Sequence, residues 1–152
     1  MKGFGKKDHS ETKQQSNTKR NPSKEQLIAK AFRFHSQGNN TEAAKYYQSF
    51  INQGFKDHRV FSNYGAILEG LGKLEEAEKS YRKAIKIKPD YAEAHSNLGN
   101  ILRDLGNLQD AELYTRKAIE LNPNLSHAYR ELGICLYLIG DTLSALDSIV
   151  KA

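Results

Sequence analysis

The chain has 152 residues, a formal net charge of +5, one cysteine and no tryptophan. A lone Cys135 excludes an internal disulfide and any cysteine-based metal cluster within one chain. The first residues lack the apolar core of a secretory signal, and no apolar run approaches the roughly 18 residues of a membrane span, so a cytoplasmic protein is expected.

Residues 1–22 carry Lys2, Lys6, Lys7, Lys13, Lys19 and Arg20 against Asp8 and Glu11, which is 6 − 2 = +4, and leave +1 for the rest. With Phe4 its one aromatic residue, this stretch has too little apolar surface to offset its ordering entropy and reads as a disordered basic tail. No aromatic side chains interleave with the lysines for base stacking, so a solvating linker is favoured over a nucleic-acid arm. Order is expected from Ser23, which can form a capping box with Gln26 and open a helix running to about Gln37.

From there the chain keeps a clock. Gly38, Gly72, Gly106 and Gly140 are 34 residues apart, and Ala43, Ala77, Ala111 and Ala145 follow each by five. Residues 23–152 therefore divide into units 24–57, 58–91 and 92–125 and an incomplete one, 126–152, each a pair of helices that buries its apolar face by stacking on its neighbours. Within a unit of 34, the glycine at position 15 reverses the chain between the two helices, and Asn39, Asn107 and Asp141 follow as expected caps of the second helix.

Gly65, Gly99 and Gly133 at position 8, with the alanines at position 20, let two helix backbones approach. Larger residues at positions 4, 7, 11 and 24 fill the space around them: Phe61, Tyr64, Leu68 and Tyr81 in the second unit, His95, Leu98, Leu102 and Thr115 in the third, and Tyr129, Leu132, Leu136 and Ile149 in the fourth. Pro89 and Pro123 mark the junctions between units, and Asn122-Pro123 is expected to cap and open the next helix. The first unit has Gly54-Phe55 there instead, which predicts a looser or differently angled junction. Leu143, Leu146, Ile149 and Val150 are expected to leave an apolar face incompletely covered, a possible seat for self-association.

The 34-residue period, the glycine and alanine positions and the shared segments Ser-Asn-x-Gly-x-Ile-Leu (Ser62 to Leu68, Ser96 to Leu102) and Arg-Lys-Ala-Ile resemble the tetratricopeptide-repeat family, and are similar to bacterial arrays and the repeats of O-GlcNAc transferases. The resemblance implies an all-α, right-handed superhelical solenoid of antiparallel helix pairs whose first helices line a concave, peptide-binding groove. On that geometry the groove residues are Arg59, Ser62, Asn63, Ser96, Asn97, Asn100, Arg103, Arg130 and Glu131, with an apolar end at Ile134, Tyr137 and Leu138. Asn63 and Asn97 share position 6, where the transferase arrays carry an asparagine ladder that holds extended peptide backbone; the bland alternative is that they bond across neighbouring helices.

Other members of the family clamp the carboxyl tail of heat-shock chaperones with Lys, Asn, Asn, Lys and Arg on three successive first helices. The matching positions here hold Ile28, Phe32, Asn63, Glu93 and Asn97 in one register and Ser62, Ala66, Asn97, His127 and Glu131 in the other, which argues against that ligand.

No His-Glu-x-x-His or phosphate-loop spacing appears; His95 and Cys135 fall on packing positions. The expectation is a non-enzymatic scaffold with no cofactor, no metal and a protein or peptide partner. The alternative is a substrate-recognition arm of a larger glycosyltransferase or sulfotransferase type of enzyme.

Overall fold

The computed structural model describes residues 21–140 and 142–152; residues 1–20, which hold most of the expected tail, and the expected cap Asp141 lie outside the described residues. Eight helices follow in order: α1 Lys24–Ser36, α2 Asn40–Asn52, α3 His58–Gly70, α4 Leu74–Ile87, α5 Ala92–Asp104, α6 Leu108–Leu121, α7 Ser126–Ile139 and α8 Thr142–Val150. The first helices begin at Lys24, His58, Ala92 and Ser126. Each packs on the second helix of its pair, α3, α5 and α7 pack also on that of the pair before, and no strand occurs among the described residues.

Ser23 starts the array as its sequence suggests: its Oγ accepts from the Gln26 amide while the Gln26 side chain accepts from the Ser23 amide. The turns inside pairs rest on Gly38, Gly72, Gly106 and Gly140, with φ of 72°, 73°, 82° and 98°. At Gly72 the glycine amide bonds the Glu69 carbonyl and the Lys73 amide bonds that of Leu68, both at 2.9 Å, closing off orphan carbonyls of α3 in a Schellman motif. Asn39 caps α2 through the Glu42 amide, whereas Asn107, in nearly the same backbone conformation, makes no capping bond.

The prolines act differently from expectation. The Tyr91 amide bonds the Lys88 carbonyl and the Leu125 amide that of Asn122, both at 3.2 Å, so Pro89 and Pro123 occupy the second position of β-turns, where a fixed φ suits them. Pro123 is thus three residues ahead of α7 rather than in its first turn, and the Asn122 side chain stabilises the turn by accepting from the Asn124 amide. His95 braces the preceding turn, its Nε2 2.8 Å from the Pro89 carbonyl, in keeping with a packing role.

The core is built layer by layer. Ala43, Ala77 and Ala111 are fully buried, and Tyr47, Phe50 and Tyr81 fill the spaces beside them. Ile149 does both things expected of it: it fills the space at Gly133, against the position of a Cβ there, and it is half exposed, because no further helix covers α8 among the described residues. In α4 the Glu78–Arg82 pair forms at 2.9 Å, while Glu75 and Lys79 make no ion pair and Lys73 holds Glu76 instead. The junction at Gly54-Phe55 is thinner than the others, as α2 meets α3 far less than α4 meets α5 or α6 meets α7.

Candidate functional site

The first helices α3, α5 and α7 also touch one another directly, α5 packing on both α3 and α7. Their common face carries the polar residues named above, and most of these are committed to one another. His35 Nδ1 stands 3.0 Å from Tyr47 Oη, which accepts from Asn63 Nδ2 at 3.2 Å. Glu69 accepts from Tyr81 Oη at 2.9 Å and from Asn100 Nδ2 at 3.4 Å. Arg103 donates to Glu131, and Arg130 Nε lies 3.5 Å from the other oxygen of that carboxylate.

A rule runs through these contacts. The residue at position 12 of one unit, His35, Glu69 or Arg103, is linked to position 6 or 9 of the next unit's first helix: His35 to Asn63 through Tyr47, Glu69 to Asn100 and Arg103 to Glu131 directly. Polar bonds thus tie each repeat to its successor on the face where the first helices meet. The links are partly desolvated. Burial pushes the Tyr47 phenol up to about 12, partly offset by the Asn63 hydrogen bond. Burial works against the Arg103 charge, yet the Asp104 hydrogen bond and the Glu131 carboxylate hold its guanidinium above the usual arginine range.

The expected groove residues therefore divide. Ser62 and Ser96 are buried rather than presented on the face: position 5 shares a helical stripe with position 8, so Ser96 runs with Ala92 and Gly99 into the packed seam. Ser62 lies against the Tyr91 phenol, and Ser96 Oγ has no hydrogen-bond partner. Asn63 bonds back to α2, the bland alternative of the sequence reading. Arg59 folds onto its neighbour Asp57, at 2.8 Å and 3.1 Å, with its guanidinium 5.3 Å from the Phe32 ring centre. Glu131 is buried under Arg103.

Asn97 differs from all of these: it is half-buried, and its side chain makes no hydrogen bond among the described residues. Its i+3 neighbour Asn100 keeps a buried Oδ1 without a partner. Beyond Glu131 the face turns apolar, with Ile134, Tyr137 and Leu138 exposed. Sequence reasoning gave Tyr81 as a filler, assigned nothing to Tyr47, and missed the hydroxyl bonds of both. The signal was present in the sequence, since each tyrosine follows a polar position-12 residue by twelve (His35 to Tyr47, Glu69 to Tyr81).

Burial pushes the Cys135 thiol up, away from a reactive thiolate. No cluster of His, Cys, Asp or Glu fit to hold a metal occurs among the described residues.

Stacked helix pairs with a face of first helices define a helical-repeat solenoid, a class whose extended surfaces bind other proteins. Two family models match the chain, "TPR repeat" over residues 65–106 and "Tetratricopeptide repeat" over 92–125, so tetratricopeptide repeats stand at residues 65–125. Among solved structures, MamA superimposes with a TM-score of 0.79 at 19% identity, covering 85% of this chain and 75% of that one. MamA 41-end from Desulfovibrio magneticus RS-1 gives 0.78 at 18% identity, covering 88% and 75%. YrrB, described as a TPR protein with an unusual peptide-binding site, gives 0.76 at 18%, covering 85% and 66%. At such identities the likeness shows the fold alone. A comparison with curated proteins gives no match.

Proposed function

We propose that this chain is a protein-interaction scaffold that holds an extended peptide segment of its partner along the face of α3, α5 and α7. The observation that carries the reading is Asn97, whose amide offers both a donor and an acceptor with no claim on either, on a face where neighbouring polar groups are already paired. Such an amide can grip peptide backbone whatever its side chains, and the exposed Ile134, Tyr137 and Leu138 further along, on α7, would receive an apolar side chain. On this reading the chain binds and positions, and does no chemistry of its own.

The test is selection of extended peptides from a displayed library on the intact chain, followed by titration of the winners. Asn97→Ala should weaken them about 3- to 10-fold, the worth of one or two net hydrogen bonds. Unchanged affinity for Asn97→Ala and Tyr137→Ala together would move the binding face elsewhere. A second contact surface is proposed on α7 and α8, where exposed apolar residues suit another copy of the chain; the basic tail is assigned no specific nucleic acid.

A further inference from the structure

The repeats serve as controls for one another, and one junction stands apart. Positions 31 to 33 read Lys88-Pro89-Asp90 and Asn122-Pro123-Asn124 at the second and third junctions but Gly54-Phe55-Lys56 at the first. Positions 26 and 29 are Lys117 and Glu120 in α6, which neutralise each other at 2.8 Å; in α4 they are Lys83 and Lys86, which cannot. None of Lys56, Lys83 and Lys86 takes part in any ion pair among the described residues.

These three lysines rim a groove of about 530 Å³ floored by Ile51, Phe55, Phe61 and Ile87. That volume is in the range of ligand-holding clefts, roughly 300–1,000 Å³. The floor is firm: Phe55 packs on Phe50 with ring centres 5.4 Å apart, and Lys83 Nζ lies 5.6 Å from the Phe61 ring centre. Gly54, at φ 77°, ends α2 in the left-handed turn that brings Phe55 back onto Phe50, where the other junctions run through a proline turn. The helix dipole favours cations near the end of α4, but it does not require them, since α6 carries Glu120 at the equivalent place. Nor does it account for Lys56, which stands outside any helix, or for Ile87 left open beside the groove.

We propose that this groove docks an acidic peptide segment of a partner protein, its carboxylates on Lys56, Lys83 and Lys86 and one of its apolar side chains seated on the floor. Charge complementarity selects the occupant: three uncompensated cations exclude the chain's own basic residues 1–22 and favour an anionic one. The concavity suits an inserted side chain rather than a bilayer surface. This surface is separate from the face that carries Asn97, so one partner can occupy each.

Fluorescence anisotropy with three labelled short peptides tests it: Asp/Glu alternating with Leu and Phe, the same with Ser for Leu and Phe, and Lys/Arg alternating with Leu and Phe. The first should bind about tenfold or more tightly than the other two, and lose that advantage as salt rises, while weak binding common to all three belongs to the face of Asn97. Lys86→Glu installs the residue that α6 already carries, so its melting temperature should match the parent while affinity for the first peptide falls about tenfold or more. Asn97→Ala should leave the advantage of the first peptide over the other two unchanged. Three results would overturn the proposal: no binding of the first peptide, equal binding of the Ser-substituted or basic peptide, or binding indifferent to Lys86→Glu. Capture by phosphatidylserine vesicles without capture of the first peptide would assign the lysines to membrane contact instead.

Discussion

Gly99 faces Thr115 so closely that a Cβ built on the glycine would stand 2.3 Å from the threonine Oγ1 and 3.1 Å from the Ala111 carbonyl. The threonine is not free to yield, because its hydroxyl donates to that same carbonyl at 2.7 Å. Gly99→Ala should therefore force α5 and α6 apart and cost about 1 to 3 kcal/mol, read as a shift in denaturation midpoint. Gly99→Ala with Thr115→Ala should recover part of the loss. A Gly99→Ala variant unfolding with the parent would show that the crossing is looser than drawn.

Arg103 and Glu131 join α5 to α7 with both side chains mostly buried, at 18% and 12% exposure. Removing one partner strands the other charge away from water, while removing both does not. Arg103→Met is expected to destabilise by about 2 to 4 kcal/mol, since Arg130 reaches Glu131 only from the side, and Arg103→Met with Glu131→Leu should restore most of it. Urea denaturation of the four proteins closes the cycle; additive losses would mean that the pair is not coupled.

The fold was legible because its determinants are local and repeated. A left-handed glycine at position 15 or a missing side chain at position 8 has one structural meaning wherever it occurs, and it recurs at 34-residue intervals. The face of the first helices was legible only in part. Side-chain pairing there is between units, and periodicity gives the position of a residue without its partner: Asn63 and Asn97 share position 6, yet Asn63 meets Tyr47 while Tyr81, which stands to Asn97 as Tyr47 does to Asn63, donates its hydroxyl to Glu69 instead. Ser62 and Ser96 were misplaced for a different reason, as position 5 borders both the face and the seam, and a small side chain there falls into the seam.

The tyrosine links make stability sensitive to alkali. Tyr47 keeps its proton to about pH 12 because burial disfavours the phenolate, and burial with the adjacent Glu69 charge raises Tyr81 further, whereas an unfolded tyrosine ionises near 10. Above pH 10 the unfolded state thus holds fewer protons than the folded one, so stability is intact below that value and declines as pH rises from about 10 to 12. Lysines titrate in the same window, and Tyr47→Phe separates the two. The variant should be less stable at pH 8, having lost its bonds to His35 and Asn63, but should fall less steeply from pH 10 to 12. Equal slopes would remove Tyr47 from the alkaline transition.

Tyr137 and Leu138 on α7 and Leu146, Ile149 and Val150 on α8 are between 52% and 84% exposed, and no described element covers them. An apolar strip of this kind on adjacent helices is more than scattered surface hydrophobes, and burying it against a second copy would gain about 25 cal/mol per Å² covered. Sedimentation velocity over rising protein concentration should show a growing dimer fraction, and Leu146→Glu, which points a charge out of the strip without touching the Gly133 contact of Ile149, should abolish it. The groove variants Asn97→Ala and Lys86→Glu should dimerise like the parent. A chain that stays monomeric at the highest concentration, or a Leu146→Glu variant that still dimerises, would leave the strip without this role.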